Sequence, residues 1–132
     1  MAGTFLIRVR AEFSGAHQLH GYDGPCARMH GHNWIVEVEI AASALDGIGM
    51  GVDFRAVRGA LSEITGEMEH QTLNDLPPFR DVNPTAEHVA AHVHRRMVAW
   101  IAGLPPADRD RLTLRGVTIW ENARSSVRYE ET

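Results

Sequence analysis

Lysine is missing from this chain, and every basic side chain other than histidine is arginine. An anionic ligand would therefore meet scattered guanidinium groups and never an ammonium. Cysteine occurs once, which rules out an intrachain disulfide and fits a reducing compartment. No Gly-rich phosphate loop is present. No apolar run is long enough to cross a bilayer, and the N-terminal stretch lacks the apolar core of a signal peptide. The expectation is a cytoplasmic protein without membrane attachment. Positive charge is not in excess: 17 acidic against 13 basic residues give a formal net charge of −4. That argues against a nucleic-acid partner. Internal repeats and low-complexity segments are lacking too.

What is there suits one globular domain spanning 1–132. The chain is 44% hydrophobic and 23% charged, with length for one core and too little for two. From Thr4 to Phe13 it alternates, with Phe5, Ile7, Val9, Ala11 and Phe13 on one face and Arg8, Arg10 and Glu12 on the other. Trp34, Val36, Val38 and Ile40 alternate with Glu37 and Glu39 in the same way. An antiparallel pair joined through the intervening loop is the simplest connection. Asp53 reads as a helix N-cap, followed by the stripe Phe54, Val57, Leu61, Ile64 and Met68. After the Pro-rich loop Leu76-Pro77-Pro78, Asn83-Pro84-Thr85 starts a second helix with Pro84 in its first turn. Its stripe is Val89, Val93, Met97, Trp100 and Ile101, and Gly103 to Pro106 ends it. Leu112 to Glu121 and Ser125 to Glu130 flank a short connection and read as a hairpin. The predicted order is strand, strand, helix, helix, strand, strand. This is an α+β fold with two helices on one face of a four-stranded antiparallel sheet. The edges of so small a sheet invite pairing between subunits, so a homo-oligomer is expected.

The chemistry gathers in one stretch. His17, Cys26, His30 and His32 fall within sixteen positions between the first two strands. His30 and His32 are two apart, so in an extended chain both rings face the same way. A hairpin brings His17 alongside. Three neutral imidazoles with an open fourth position suit a catalytic Zn2+ better than a structural one. Cys26 is placed to act beside the metal. His88 and His92, four apart on the second helix, lack a third ligand and read as a polar helix face.

Several motifs in order resemble the 6-pyruvoyltetrahydropterin synthase / 6-carboxytetrahydropterin synthase family. They are Phe13-Ser14-Gly15-Ala16-His17, Cys26-x-x-x-His30-Gly31-His32, Val52-Asp53-Phe54, His70-Gln71-Thr72-Leu73-Asn74, Asn83-Pro84-Thr85-Ala86-Glu87 and Glu121. The three-residue gap between Cys26 and His30 is similar to the carboxy, queuosine-pathway branch. One departure stands out: Glu69 occupies the place before His70 where the family usually has Asp.

The resemblance implies a tunnelling-fold (T-fold) subunit whose three-membered rings stack in pairs into a hexamer. It implies zinc held by His17, His30 and His32, and 7,8-dihydroneopterin triphosphate as substrate. The product would be 6-carboxy-5,6,7,8-tetrahydropterin, with loss of acetaldehyde and triphosphate. It makes Cys26 a proton-moving base and His70 the second proton carrier, oriented by Glu69. Glu121 becomes the pterin anchor, with Thr85 and Glu87 as further pterin contacts. For Thr85 and Glu87, plain helix capping is the simpler reading. Arg28, beside Cys26, is a candidate for the triphosphate. The resemblance also lets the zinc group and His70 or Glu121 come from different subunits. Alternatives are a 6-pyruvoyltetrahydropterin synthase, a non-catalytic zinc or pterin-binding relative, and a zinc hydrolase.

Overall fold

The computed structural model describes residues 3–132. The two alternating segments are its longest strands, β1 (Phe5–His17) and β2 (His30–Ala42). They pair antiparallel without a break, from Phe5↔Ala42 to His17↔His30. The pleat sorts their side chains by parity. Val9 and Phe13 of β1 and Trp34, Val36, Val38 and Ile40 of β2 point into the core and are buried.

Two helices pack on the sheet: α1 (Phe54–Gly66) against β1, and α2 (Ala86–Ala102) against the two C-terminal strands, β4 (Leu112–Asn122) and β5 (Ser125–Tyr129). Asp53 caps α1, its carboxylate accepting from the Arg55 N–H at 2.8 Å. Val57, Leu61, Ile64 and Met68 are buried as their spacing predicts. Phe54 departs from that stripe and is 57% exposed. It stands in the first turn, where the helix opens onto a cleft shared with Phe5 and Ile7 rather than onto closed core. Thr85 caps α2, its hydroxyl accepting from the His88 N–H at 3.2 Å. Pro84 therefore lies just before the cap and not in the first turn, which leaves its carbonyl outside the helix.

The predicted four-stranded antiparallel sheet needs correction. The sheet has five strands in the order β3-β1-β2-β4-β5. The extra one, β3 (Gln71–Thr72), runs parallel to β1 beside Gly15 and Ala16. Two residues are too few to show any period, and long-range contacts hold them in place: the His70 N–H donates to the Ser14 carbonyl at 2.6 Å. A third helix, α3 (Pro106–Arg109), is a single turn begun by proline after Gly103 ends α2. The architecture is thus α+β with a mixed sheet. Among the described residues no helix is long and apolar enough to cross a membrane.

The sheet face away from the helices is paved with ion pairs. Glu39, only 7% exposed, accepts from Arg8 of β1 and Arg128 of β5, each at 2.7 Å. Arg10 reaches Glu37 at 3.2 Å and lies 4.7 Å over the ring of Trp120. Gly116, opposite Glu39, leaves the room this needs, since a Cβ there would meet the Arg128 guanidinium at 2.7 Å. The Arg8 hydrogen bond, reinforced by Arg128, holds the Glu39 carboxyl below the usual carboxylate range against the opposing effect of burial. A depressed folded-state pKa stabilises the fold above the unfolded value and loses that contribution as pH falls through the folded one. Glu39→Gln is therefore expected to cost roughly 1–3 kcal/mol at neutral pH. In thermal melts it should lose less stability than the parent between neutral and acidic pH. Equal acid sensitivity in both proteins would refute this.

Candidate active site

His17 ends β1, His30 opens β2 directly opposite, and His32 follows two residues later opposite Gly15. Strand parity puts all three rings on the core side of the sheet. They gather at the end of the hydrophobic core over Trp34. Its ring lies edge-on to His17 at 4.9 Å and to His32 at 5.3 Å between centroids. The Trp34 indole N–H donates to the Gly15 carbonyl at 3.1 Å and so ties this floor to β1. One nitrogen from each imidazole lies within 4.8 Å of the other two.

Two of the rings are oriented by backbone. The His17 Nδ1–H donates to the Pro84 carbonyl at 2.7 Å, and the His30 Nδ1–H to the Arg28 carbonyl at 2.6 Å. This leaves the Nε2 lone pairs free for another partner. The Nε2 atoms of His17 and His32 are sealed from solvent and have no hydrogen-bond partner. Such orphaned nitrogens cost about 1–3 kcal/mol each unless something takes them up. Burial, helped by the neighbouring imidazoles, pushes both His17 and His32 below the ordinary histidine range, against the Pro84 hydrogen bond at His17 and the Glu121 charge at both. Both rings are thus kept in the neutral, lone-pair form that binds a metal. Three nitrogen donors around one point fit a divalent ion with an open position.

Glu121 stands near the end of β4, half-buried, with its Oε1 3.5 Å from the His17 Nε2. Glu121 and the imidazoles therefore come together within one chain. Glu121 also lines a cleft of about 300 Å³ with Thr85, Glu87 and Leu19. The three residues predicted to contact a pterin therefore share one hollow, although the Thr85 hydroxyl already serves as the α2 cap.

His70 lies on the other flank. It is the one non-glycine residue with positive φ among those described, at 56°, and its side chain is 80% exposed. Its Nε2 is 3.0 Å from a Glu69 carboxylate oxygen, and the other oxygen accepts from the Ser14 N–H at 3.3 Å. The longer glutamate side chain thus spans from β1 to the histidine ring. His70 and His32 line one cleft of about 390 Å³ with Ser14, Asn33 and Thr72. Cys26, half-buried, sits in a single 3₁₀ turn (Pro25–Ala27) and is in the wall of neither cleft.

His88 and His92 do not form a second pair. The His88 Nδ1–H donates to the Asn83 carbonyl at 2.7 Å, while His92 is buried edge-on to Phe79 at 5.6 Å.

Asn74 and Asn83, both inside motifs that carry the family resemblance, hold the backbone that follows His17. The Asn74 side chain accepts from the Gln18 N–H at 2.9 Å and donates to the Gln18 carbonyl at 2.8 Å. Asn83 does the same for His20, both bonds being 2.8 Å. The motifs drew attention to these positions, but the partners lie 56 and 63 residues away.

Comparison with known proteins gives a consistent result. The family model described as 6-pyruvoyl tetrahydropterin synthase matches residues 6–132. A Synechocystis protein named 6-carboxy-5,6,7,8-tetrahydropterin synthase is 29% identical over 130 residues, covering 95% of this chain and 92% of its own. A Rickettsia felis protein of the same name is 30% identical over 101 residues, covering 64% of this chain and 73% of its own. The solved structure of Caenorhabditis elegans 6-pyruvoyl tetrahydropterin synthase shares the fold, with a TM-score of 0.82 at 23% identity over 99% of this chain and 98% of that one. With its histidine trio, Glu121 and the cysteine turn in the expected order along nearly the whole matched length, the chain belongs to the 6-pyruvoyl tetrahydropterin synthase family.

Proposed function

We propose that this chain is a 6-carboxy-5,6,7,8-tetrahydropterin synthase. It converts 7,8-dihydroneopterin triphosphate to 6-carboxy-5,6,7,8-tetrahydropterin, acetaldehyde and triphosphate, in the cytoplasm and in service of queuosine synthesis. The observation that carries this reading is the pair of sealed, unpartnered Nε2 atoms of His17 and His32 beside the Glu121 carboxylate. Support comes from the names of the Synechocystis and Rickettsia felis relatives.

The residues divide the work as follows. His17, His30 and His32 would hold a zinc ion, which when bound would supply a Lewis acid able to make the protons of the substrate side chain more acidic. Glu121 accepts two N–H groups from the guanidine-like edge of the pterin in the two-pronged geometry that carboxylates use with arginine. Thr85 and Glu87 flank it in the same cleft. The Thr85 hydroxyl accepts from its helix and keeps its own proton to donate. Cys26, as thiolate, takes a proton from the substrate side chain. His70, held by Glu69, carries the second proton. With no lysine and no phosphate loop, arginines meet the triphosphate, and Arg28 beside Cys26 is the first candidate.

The same reading places the chain in a T-fold assembly, three subunits joining sheets into a ring and two rings stacking. The sheet edges available for such pairing are β5 and the stretch of β1 from Phe5 to Phe13 that the two-residue β3 leaves uncovered. The deciding assay incubates zinc-loaded protein with 7,8-dihydroneopterin triphosphate and identifies products by mass. Acetaldehyde together with the carboxylated pterin is the expected result. Triphosphate without acetaldehyde would assign the 6-pyruvoyl reaction instead, and substrate returned unchanged would leave a pterin-binding protein.

A further inference from the structure

We propose that Asn74 and Asn83 are positioning residues that hold the Cys26-bearing loop in register with the histidine cluster. The inference rests on the reading of Cys26 as the proton-moving group, and its geometry stands independently.

The segment that leaves β1 after His17 has no neighbouring strand, yet its backbone groups are satisfied in an ordered way. An extended chain turns the N–H and C=O of alternate residues to the same side. On one side, Gln18 and His20 each exchange two hydrogen bonds with an asparagine side chain, Asn74 and Asn83 respectively. On the other side, the Leu19 N–H donates to the Cys26 carbonyl at 3.1 Å. A side-chain amide carries one acceptor and two donors, so each asparagine imitates the backbone of a missing strand.

The pairing continues a ladder already present. Gly15 and Ala16 of β1 pair with Gln71 and Thr72 of β3, and Asn74, two residues after Thr72, takes Gln18, two residues after Ala16. Asn83 then takes His20 and is followed by Pro84, whose carbonyl orients the His17 ring. The His88 Nδ1–H in turn donates to the Asn83 carbonyl and steadies it from α2. The loop that carries the thiol and the strand end that carries the first imidazole are thereby fixed by the same two side chains. Gln or Ser could not serve equally, because only the short carboxamide offers donor and acceptor at this reach.

The test uses the full-length, zinc-loaded protein, in which Cys26 is the sole thiol. Alkylation of that thiol by iodoacetamide at one fixed pH reports its placement without reference to turnover. The Asn74→Ala/Asn83→Ala double variant should keep its zinc and alkylate several-fold faster. Its kcat should fall by roughly ten- to a hundred-fold with KM nearly unchanged, as expected for a misplaced reacting group. Asn74→Asp keeps the acceptor and loses the donor, so it should fall between parent and double variant. An unchanged alkylation rate in the double variant overturns the proposal. Should the variants not fold, amide hydrogen exchange on the unaltered protein decides. Gln18, Leu19 and His20 should be protected, and exchange at the rate of a free chain overturns the proposal. A parent protein without pterin turnover would refute the assigned reaction while the alkylation and exchange results still judged the clamps.

Discussion

His30→Ala is expected to lose the metal and the activity together. His30 opens β2 opposite His17, and its Nδ1–H is fixed by the Arg28 carbonyl, so its other nitrogen has little to do apart from binding an ion. Removing it leaves two imidazole donors, too few to hold a divalent ion against dialysis. Loss of a mere outer hydrogen bond to such a site costs about 10–100-fold in metal affinity, and loss of a ligand should exceed that. The ring is only half-buried and belongs to no hydrophobic cluster, so the far-ultraviolet spectrum should stay that of the parent. Zinc content by atomic spectroscopy reads the result directly, and full occupancy in the variant would remove His30 from the ligand set. Since burial keeps His17 and His32 below the ordinary histidine range, protons compete for them only in more acidic solution. The parent should therefore hold its metal through neutral pH and release it on acidification.

Cys26→Ala should give the opposite dissociation, with zinc and fold kept and turnover lost. The thiol stands in a half-buried 3₁₀ turn outside the core, so its removal should change stability by no more than about 0.5 kcal/mol. Loss of a positioned base is worth about 10²–10⁴-fold in rate. If turnover is undiminished, the proton is moved by something else, and a hydrolase using metal-bound hydroxide becomes the better account. If zinc leaves with the thiol, Cys26 is itself a ligand. The two substitutions, four positions apart in sequence, thus separate holding the ion from using it.

The main strands were legible because the middle of the β1–β2 pair alternates cleanly, with Val9, Phe13, Trp34, Val36, Val38 and Ile40 toward the helices and Arg8, Arg10, Glu12, Glu37 and Glu39 away from them. The helices showed through Asp53 and through stripes that, Phe54 apart, pack into or against the core. The histidine trio was legible because two of its members share a strand and the third lies across a hairpin from them. What stayed hidden depends on contacts between distant parts of the chain. β3 has no pattern of its own and exists because Ser14 receives the His70 N–H. The closeness of Glu121 to His17 follows from the order of β1, β2 and β4 in the sheet, which no local spacing encodes. Pro84 read as a helix starter because proline favours a first turn, yet Thr85 won the capping position and left the proline carbonyl to the His17 ring.

The backbone at His70 also sets folding and chemistry against each other. Its φ of 56° is a conformation that L side chains adopt at a cost of about 1 kcal/mol and that glycine adopts freely. The ring gains nothing from packing, since its side chain stands 80% in solvent. Judged by thermodynamic stability alone, glycine is the better occupant and the imidazole a small, standing debt. The imidazole is thus carried outward on a backbone that costs stability, tied to the protein by Glu69 and otherwise open to whatever enters the cleft it shares with His32.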